Sequence, residues 1–407
     1  MSEIMLGAGV FTAVVMTLVL LILAGRLMLV PAGTASVEVN GARQVTVPLG
    51  ETLLRALARH GLHLPSACGG RGTCGQCRIM VVAGTTAPLP VERGLLARRD
   101  LAAGVRLSCQ LTVRGDLRVE VPAETLGVRQ WSCRVRSARS VTTLMKEIVL
   151  ELPAGEGIDF RAGAYVQVAC PPHETRLDRF EIAPEYAGEW ERLGLRRLAV
   201  SSARATTRAY SLANPPAERA AVTLIVRIAT PPPGAGPSVP PGVVSSWLFG
   251  LAPGDPVEVT GPFGSFHVEE GDREMVFVGG GAGMAPMRSM IRDELLGRET
   301  VRPMSFWYGA RNRRELCYAD EFDALATAHA NFRWMVALSE PRPEDDWRGE
   351  TGLIHEVLFE RHLRHHAAPE TCDYYLCGPP MMARAVLRLL ERLGVRRERV
   401  RFDDFGG

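Results

Sequence analysis

Four cysteines constrain this chain more than any other feature. Cys68, Cys74 and Cys77 form C-x5-C-x2-C within Ala67-Cys68-Gly69-Gly70-Arg71-Gly72-Thr73-Cys74-Gly75-Gln76-Cys77, and Cys109 follows after a long gap. Three thiolates on one tight loop plus a distant fourth suit a [2Fe–2S] cluster, whose sulfides accept backbone N–H bonds that need closely approaching glycines. Gly69, Gly70, Gly72 and Gly75 supply them. The alternative is zinc, but zinc sites usually pair two C-x2-C or C-x2-C/H-x3-H units, and here Cys74 and Cys77 form just one. A disulfide framework fits less well: Cys133, Cys170, Cys317, Cys372 and Cys377 are scattered, and the total of nine is odd.

The flanks of the loop read as its scaffold. Ala35 to Pro48 alternates like a strand pair with Asn40-Gly41 at the turn, a strong hairpin signal. Leu53 to His60 reads as a helix, Val105 to Leu111 as a strand carrying Cys109, and Leu117 to Val121 as a closing strand. This order fits a β-grasp domain. With a loop one residue longer than the plant type, residues Val37 to Val121 resemble the adrenodoxin and bacterial reductase-associated ferredoxins.

A length of 407 residues allows two or three domains, and a net charge of +2 with scarce Lys gives no footprint for nucleic acid. Ile4 to Ala24 carries no charge. At about 1.5 Å per residue it is long enough to span a hydrocarbon core. A cleaved signal peptide would have a basic start and a shorter apolar run, although Ala32-Gly33-Thr34-Ala35 keeps that alternative open. Arg26 and most basic residues follow the span, so the expectation is a single-pass anchor in a bacterial inner membrane with the remaining domains in the cytoplasm.

From about Trp131 short apolar strands follow one another, including Lys146 to Leu152 and Ala164 to Val168, which suggests an antiparallel β-barrel. It contains Arg208-Ala209-Tyr210-Ser211, matching the R-x-Y-S flavin signature of the ferredoxin-NADP reductase superfamily. Arg208 can grip a pyrophosphate bidentately, Tyr210 can lie against an isoalloxazine ring, and the Ser211 hydroxyl can bond near flavin N5. Alone, four residues are weak evidence and fit an ordinary strand. Pro241 to Leu248 resembles the second flavin element, where a turn opens a helix towards phosphates, with Ser245 or Ser246 as the hydroxyl or merely as an N-cap. Val257 to Gly264 would close the barrel. Cys170 to Ala205 is longer than a barrel turn requires; Phe180, Tyr186 and Trp190 point to a packed flap.

Met275-Val276-Phe277-Val278 runs into Gly279-Gly280-Gly281-Ala282-Gly283-Met284-Ala285-Pro286 and a helix from Met287 to Leu296, a strand–glycine–helix phosphate cradle. By itself this could be a tight connection. The strands at Met304 to Arg311, Phe332 to Ser339 and Tyr374 to Cys377 make it one unit of a parallel sheet with its ligand crevice at the strand ends. Gly280, Gly281, Gly283, Gly378 and Pro379 are therefore candidate cofactor-binding residues. Cys377 would sit beside them as a positioning residue, or simply as a buried small hydrophobe. His365-His366 and His60 with His63 have spacings that could hold metal, but no carboxylate or Cys constellation accompanies them and helical or loop surface positions are expected.

End to end, the chain resembles the family of F subunits of the Na+-translocating NADH:quinone oxidoreductases. The most distinctive pieces are Gly280 to Ser289, Ser305 to Arg311 and Asp403-Asp404-Phe405-Gly406-Gly407. The resemblance implies a multidomain chain: an anchor over 1–33, a β-grasp [2Fe–2S] domain over 34–126, an FAD-binding barrel over 127–270 and an α/β NADH domain over 271–407. It implies NADH oxidation by hydride transfer to FAD and single-electron transfer through the cluster. Other membrane subunits and ubiquinone would receive the electrons, coupled to Na+ transport. Cys377 would lie where hydride passes, and Phe405 would stack on the flavin and step aside for nicotinamide. Two alternatives remain: the reductase component of a multicomponent oxygenase, and an anchored ferredoxin with a non-catalytic reductase portion. Residues alone do not separate NADH from NADPH, since Arg311, Arg313 and Arg314 could meet a 2′-phosphate, nor Na+ from H+ as the transported ion.

Overall fold

The computed structural model describes residues 2–29, 33–84, 87–232 and 239–403. They form two compact units, drawn from Met1–Ser66 with Gly70–Gly127 and from Ala67–Gly69 with Val128–Gly407.

The first unit opens with helix α1 (Ser2–Leu29). Over 7–22, where its side chains are described, Val10, Phe11, Leu18, Leu20, Leu21 and Ile22 are all exposed. Among the described residues no helix is long and apolar enough to cross a membrane. The span expected over Ile4–Ala24 is thus seen as helix, while its side chains at 4–6 and 23–24 lie outside those described.

Five strands follow: β1 (Thr34–Val39), β2 (Arg43–Pro48), β3 (Arg78–Ala83), β4 (Val105–Leu107) and β5 (Leu117–Glu120), in the order β2-β1-β5-β3-β4. Asn40 and Gly41 both take left-handed φ (53° and 65°), and Ala42 N–H donates to the Val39 carbonyl, the primed turn that matches strand twist. Helix α2 (Leu53–Arg59) buries Leu53 and Leu57 against Val37, Val47, Ile79 and Val119. Short helices α3 (Pro90–Leu95) and α4 (Arg98–Ala102) precede β4. Expected on a strand, Cys109 instead sits in a turn. The chain leaves β4 at Ser108 because the Gln110 and Leu111 N–H groups both fold back onto the Leu107 carbonyl.

In the second unit, β6 (Arg129–Thr142), β7 (Met145–Glu151) and β8 (Tyr165–Cys170) precede a flap of β9 (His173–Arg176), α5 (Pro184–Arg192) and β10 (Ala199–Ser202). Then come β11 (Thr206–Ser211), β12 (Ala221–Arg227), α6 (Val243–Phe249) and β13 (Pro256–Phe263). The sheet runs β11-β8-β13-β6-β7-β12, antiparallel throughout. Its edge strands meet just beyond the end of β11, through the Leu212–Leu224 bridge and the Ala213 N–H to Thr223 carbonyl bond. The expected small antiparallel barrel is thus a sheet curled into a partly closed one. The flap is packed: Trp190 is fully buried, donates to the Thr143 carbonyl at 2.6 Å and stacks on Phe249.

The remainder is a parallel six-stranded sheet. Its elements are β14 (Met275–Gly280), α7 (Met284–Arg292), β15 (Met304–Ala310), α8 (Ala319–Ala328), β16 (Phe332–Leu338), β17 (Glu350–Thr351), α9 (Ile354–Arg361), β18 (Asp373–Cys377), α10 (Pro380–Arg392) and β19 (Val400–Asp403). The order β17-β16-β15-β14-β18-β19 runs outward in both directions from β14. Ligands bind outside the strand C-termini where such an order reverses, here between β14 and β18. Phe277 stacks on Tyr375 at 4.9 Å in the core beneath that point.

Candidate functional site

In the cluster loop, Gly69, Gly70, Gly72 and Gly75 all have φ between 66° and 84°. An L side chain is strained in that left-handed region, so the turns that present the backbone to a cluster are reserved for glycine. Cys68, Cys77 and Cys109 are buried and Cys74 is partly exposed. Cys77 and Cys109 come together although 32 positions separate them. The Ser108 N–H donates to the Cys77 carbonyl at 2.9 Å, and the Ser108 hydroxyl donates to it at 3.1 Å. Their hydrogen-bonded thiols and burial push the Cys77 thiol far above its ordinary value, so an uncompensated pair of thiolates is disfavoured. Bound iron reverses that balance, since thiolates are its ligands. Gln110 Nε2 lies 3.4 Å from Cys109 Sγ, a donor suited to a sulfur that carries charge. Strained glycines and a four-cysteine donor set thus fit a [2Fe–2S] cluster. The remaining cysteines belong to the hydrophobic cores or flap, and burial pushes the Cys133 and Cys317 thiols up to about 12.

The flavin-signature residues lie on β11, paired with β8 in the register Arg208↔Val168, Tyr210↔Val166 and Ser211↔Tyr165. Alternation puts Arg208 and Tyr210 on one face and Ser211 on the other. Arg208 Nη1 donates to the Thr207 carbonyl at 2.7 Å. Burial pushes the Tyr210 phenol well above its usual value, although the charge of Arg208 pulls the other way. The buried Ser211 hydroxyl lies 3.4 Å from the Asp403 carboxylate at the end of β19. Just past β11, Arg288 Nη1 donates to the Ala213 carbonyl at 2.9 Å and the Ser289 hydroxyl to the Asn214 carbonyl at 2.7 Å. Helix α7 therefore fixes the chain just past the end of β11.

Helix α6 divides the roles of its two serines. Ser245 Oγ accepts from the Ala229 N–H at 3.1 Å and donates to the Gly242 carbonyl at 3.2 Å, so it closes the loop. Ser246 is fully buried and its Oγ has no hydrogen-bond partner among the described residues. A buried orphan hydroxyl costs free energy unless a partner arrives, and beside the R-x-Y-S strand a flavin is a fitting one.

At the sheet's switch point, a Cβ on Gly283 would stand 1.9 Å from the Cys377 carbonyl, and one on Gly378 would stand 2.5 Å from Met382 Cε. The glycines thus let the turn after β14 lie directly on the end of β18. Gly281 has φ of 55° and open space beside it. Gly280, Gly281, Gly283, Cys377, Gly378 and Pro379 are brought together here, with Cys377 fully buried. Phe405 lies outside the described residues. Helix α7 starts at Met284, three residues before the expected Met287, since Pro286 is tolerated in a first turn.

Sequence reasoning missed the contacts that hold these parts in place. Arg342 reaches Glu189 on the flap at 3.0 and 3.2 Å, and Arg192 pairs with the same carboxylate; these bonds hold Glu189 at about 2. The Tyr318 hydroxyl donates to Glu147 on β7 at 2.6 Å. Arg311 pairs with Glu315, and Arg313 Nη1 donates to the Asp345 carbonyl at 3.1 Å.

Family models described as 2Fe-2S iron-sulfur cluster binding domain, Oxidoreductase FAD-binding domain and Oxidoreductase NAD-binding domain match residues 37–114, 195–268 and 277–388. The F subunit of a Na(+)-translocating NADH-quinone reductase of Methylococcus capsulatus is 51% identical over 407 residues, covering 100% of each chain. The counterpart in Pseudomonas aeruginosa is 50% identical over 100% of this chain and 99% of its own. Among solved structures, an Amycolatopsis cytochrome P450 reductase superposes with a TM-score of 0.65 at 28% identity, over 91% of this chain and 99% of that one. The ferredoxin reductase of a carbazole 1,9a-dioxygenase shares the fold, with a TM-score of 0.60 at 24% identity over 92% and 98% of the two chains.

Proposed function

Because the chain belongs to the family of F subunits of the Na(+)-translocating NADH-quinone reductases, we propose that it is the electron-input component of a membrane NADH:ubiquinone oxidoreductase that transports Na+. It oxidises NADH and passes electrons singly to partner subunits in the membrane. The observation that carries this reading is the Ser211–Asp403 approach: the flavin-signature strand ends at the crevice where β14 and β18 part. When bound, FAD supplies a hydride acceptor that releases electrons one at a time, and the [2Fe–2S] cluster supplies a one-electron carrier.

In this reading Arg208 binds the pyrophosphate, Tyr210 covers the ring, Ser211 presents its hydroxyl to the flavin edge and Ser246 bonds the phosphates. Ser245 keeps the Gly242 turn closed around them. Gly280, Gly281 and Gly283 admit the NADH phosphates, while Cys377, Gly378 and Pro379 shape the nicotinamide pocket. No protein nucleophile is required, since the transferred hydride needs only positioning and exclusion of water. Arg311 and Arg313 already have partners, which favours NADH over a 2′-phosphorylated cofactor. Cys68, Cys74, Cys77 and Cys109 hold the cluster.

Helix α1 would anchor the chain in the inner membrane with the other domains in the cytoplasm. The uncharged run from Ile4 to Ala24 in the sequence supports this reading. An oxygenase reductase shares the domain order, but 47–51% identity over the full length outweighs 28% to the P450 reductase. The test is NADH oxidation with an artificial acceptor by detergent-solubilised, flavin-loaded protein. Turnover is expected; no turnover despite bound flavin would refute the enzyme. Extraction from membranes by salt alone would refute the anchor.

A further inference from the structure

At the end of the parallel sheet opposite the nicotinamide crevice, four side chains converge that the electron path does not use. Glu274 immediately precedes β14 and Cys372 immediately precedes β18; His362 and His366 follow α9. His366 Nε2 lies 3.1 Å from Glu274 Oε2 and 3.6 Å from Cys372 Sγ. These three donor atoms all lie within 4.8 Å of one another. His362 Nε2 lies 2.9 Å from Glu274 Oε1, yet the two atoms are out of line for a hydrogen bond and among the described residues neither makes another, although Arg333 Nη2 stands 3.9 Å from the same oxygen. The His362 side chain is 8% exposed, and Trp307 stacks on its ring at 5.7 Å. An orphaned, buried imidazole nitrogen is thus held against the carboxylate that His366 also reaches.

We propose that Glu274, His362, His366 and Cys372 form a closed site for a zinc-class divalent cation that ties the starts of β14 and β18 to the segment after α9. Structural zinc takes four N, O or S ligands in a tetrahedron, with bonds of about 2.0–2.1 Å to N or O and about 2.3 Å to S. The tetrahedral edges are then about 3.4 Å between N and O, and about 3.6 Å between N and S. Among Glu274, His366 and Cys372 the observed 3.1 Å between N and O and 3.6 Å between N and S are within about half an ångström of those edges, whereas His362 Nε2, 2.9 Å from Glu274 and outside that three-atom group, must swing towards it to complete the tetrahedron. His362-x3-His366 is zinc-like spacing, with Cys372 six residues on. His366 was expected at the surface; it is partly buried, and only its neighbour His365 is exposed.

Without metal the Cys372 thiol keeps its proton. Burial, then the charge of Glu274, pushes the Cys372 thiol up to about 12. The Ala368 N–H donates to His366 Nδ1 at 3.1 Å, which leaves the ring proton on Nε2. Binding therefore releases the Cys372 proton, moves the His366 ring proton to Nδ1 and opens the Ala368 contact. The site lies roughly 20 Å from the crevice, the length of six-residue β14, so the cation stabilises the sheet and takes no part in electron transfer.

The test uses the full chain carrying its flavin and iron, freed of loose metal with a weak chelator, exposed to zinc chloride and washed. Expected are one tightly held zinc per chain and a zinc X-ray absorption shell of one sulfur and three N/O atoms. Cys372→Ser and His362→Gln should each weaken zinc binding at least about tenfold while flavin and iron contents stay unchanged. Zinc only at background level, a shell of several sulfurs that places it in the ferredoxin loop, or full retention in both variants would each overturn the proposal. Should one variant fail to fold, the other and the absorption shell of the unmodified protein still decide.

Discussion

Replacing Glu92 with Ala should loosen the ferredoxin unit around its fourth ligand. Glu92 on α3 and Arg106 on β4 are both buried, with side chains 0% and 3% exposed. Glu92 Oε1 accepts from Arg106 Nε and the Leu107 N–H, each at 2.9 Å; Oε2 accepts from Arg106 Nη2 at 2.7 Å and the Leu89 N–H at 2.8 Å. Removing one partner of a buried ion pair costs about 3–5 kcal/mol. Losing the acceptor for the buried Leu107 N–H adds about 1 kcal/mol. The sum of about 4–6 kcal/mol is a large part of the 5–15 kcal/mol that holds a domain together. At about 4–8 °C per kcal/mol for a domain of this size, the ferredoxin unit should melt at least about 16 °C lower. Thermal loss of the cluster's visible circular dichroism, followed in the full chain, is the assay. Glu92→Leu with Arg106→Leu should recover most of the loss, because a well-packed apolar pair can replace a buried ion pair. A single variant melting within about 3 °C of the parent would refute the reasoning. Acid gives a second readout. Burial opposes ionisation of Glu92, but Arg106 and the two N–H donors outweigh it and lower the carboxyl's pKa. The contribution is therefore present above the unfolded value of about 4.3 and is lost as pH falls through the lower folded value.

Tyr210→Leu combined with Ser211→Ala should release FAD on gel filtration, at an affinity loss of about 100-fold or more for a lost ring contact and hydrogen bond; stoichiometric flavin in the purified variant would contradict their placement. Gly283→Ala puts a Cβ 1.9 Å from the Cys377 carbonyl, so the turn must move off β18. Flavin reduction by NADH in stopped flow should slow at least about tenfold with flavin still bound, whereas an unchanged rate would show the close approach to be dispensable.

What could be read from the sequence was local. The cluster loop, the Asn40-Gly41 turn and the strand–glycine–helix unit at Val278 to Met284 each rest on residues a few positions apart, so their backbone demands are written in residue type. The Cys109 turn was not legible, because alternation in Val105 to Leu111 resembles a strand until the Gln110 and Leu111 N–H groups take the same carbonyl. Nor were pairs set by the fold: Glu92 with Arg106, Glu189 with Arg342, and Ser211 with Asp403 at 192 positions apart. His366 looked like a surface residue because its carboxylate partner, Glu274, lies 92 positions earlier. The serines of α6 carried a mixed signal, and burial separates the loop-closing Ser245 from the orphaned Ser246.

The central claim is that one chain holds two separable redox sites, a flavin served by the switch-point crevice and a cluster held by the cysteines. Cys74→Ala tests it most directly, measured as low-temperature electron paramagnetic resonance of the reduced protein beside flavin bleaching by NADH. The account predicts that the cluster signal disappears while NADH still bleaches the flavin fully. Loss of bleaching together with the signal, or a cluster signal that survives, would contradict it.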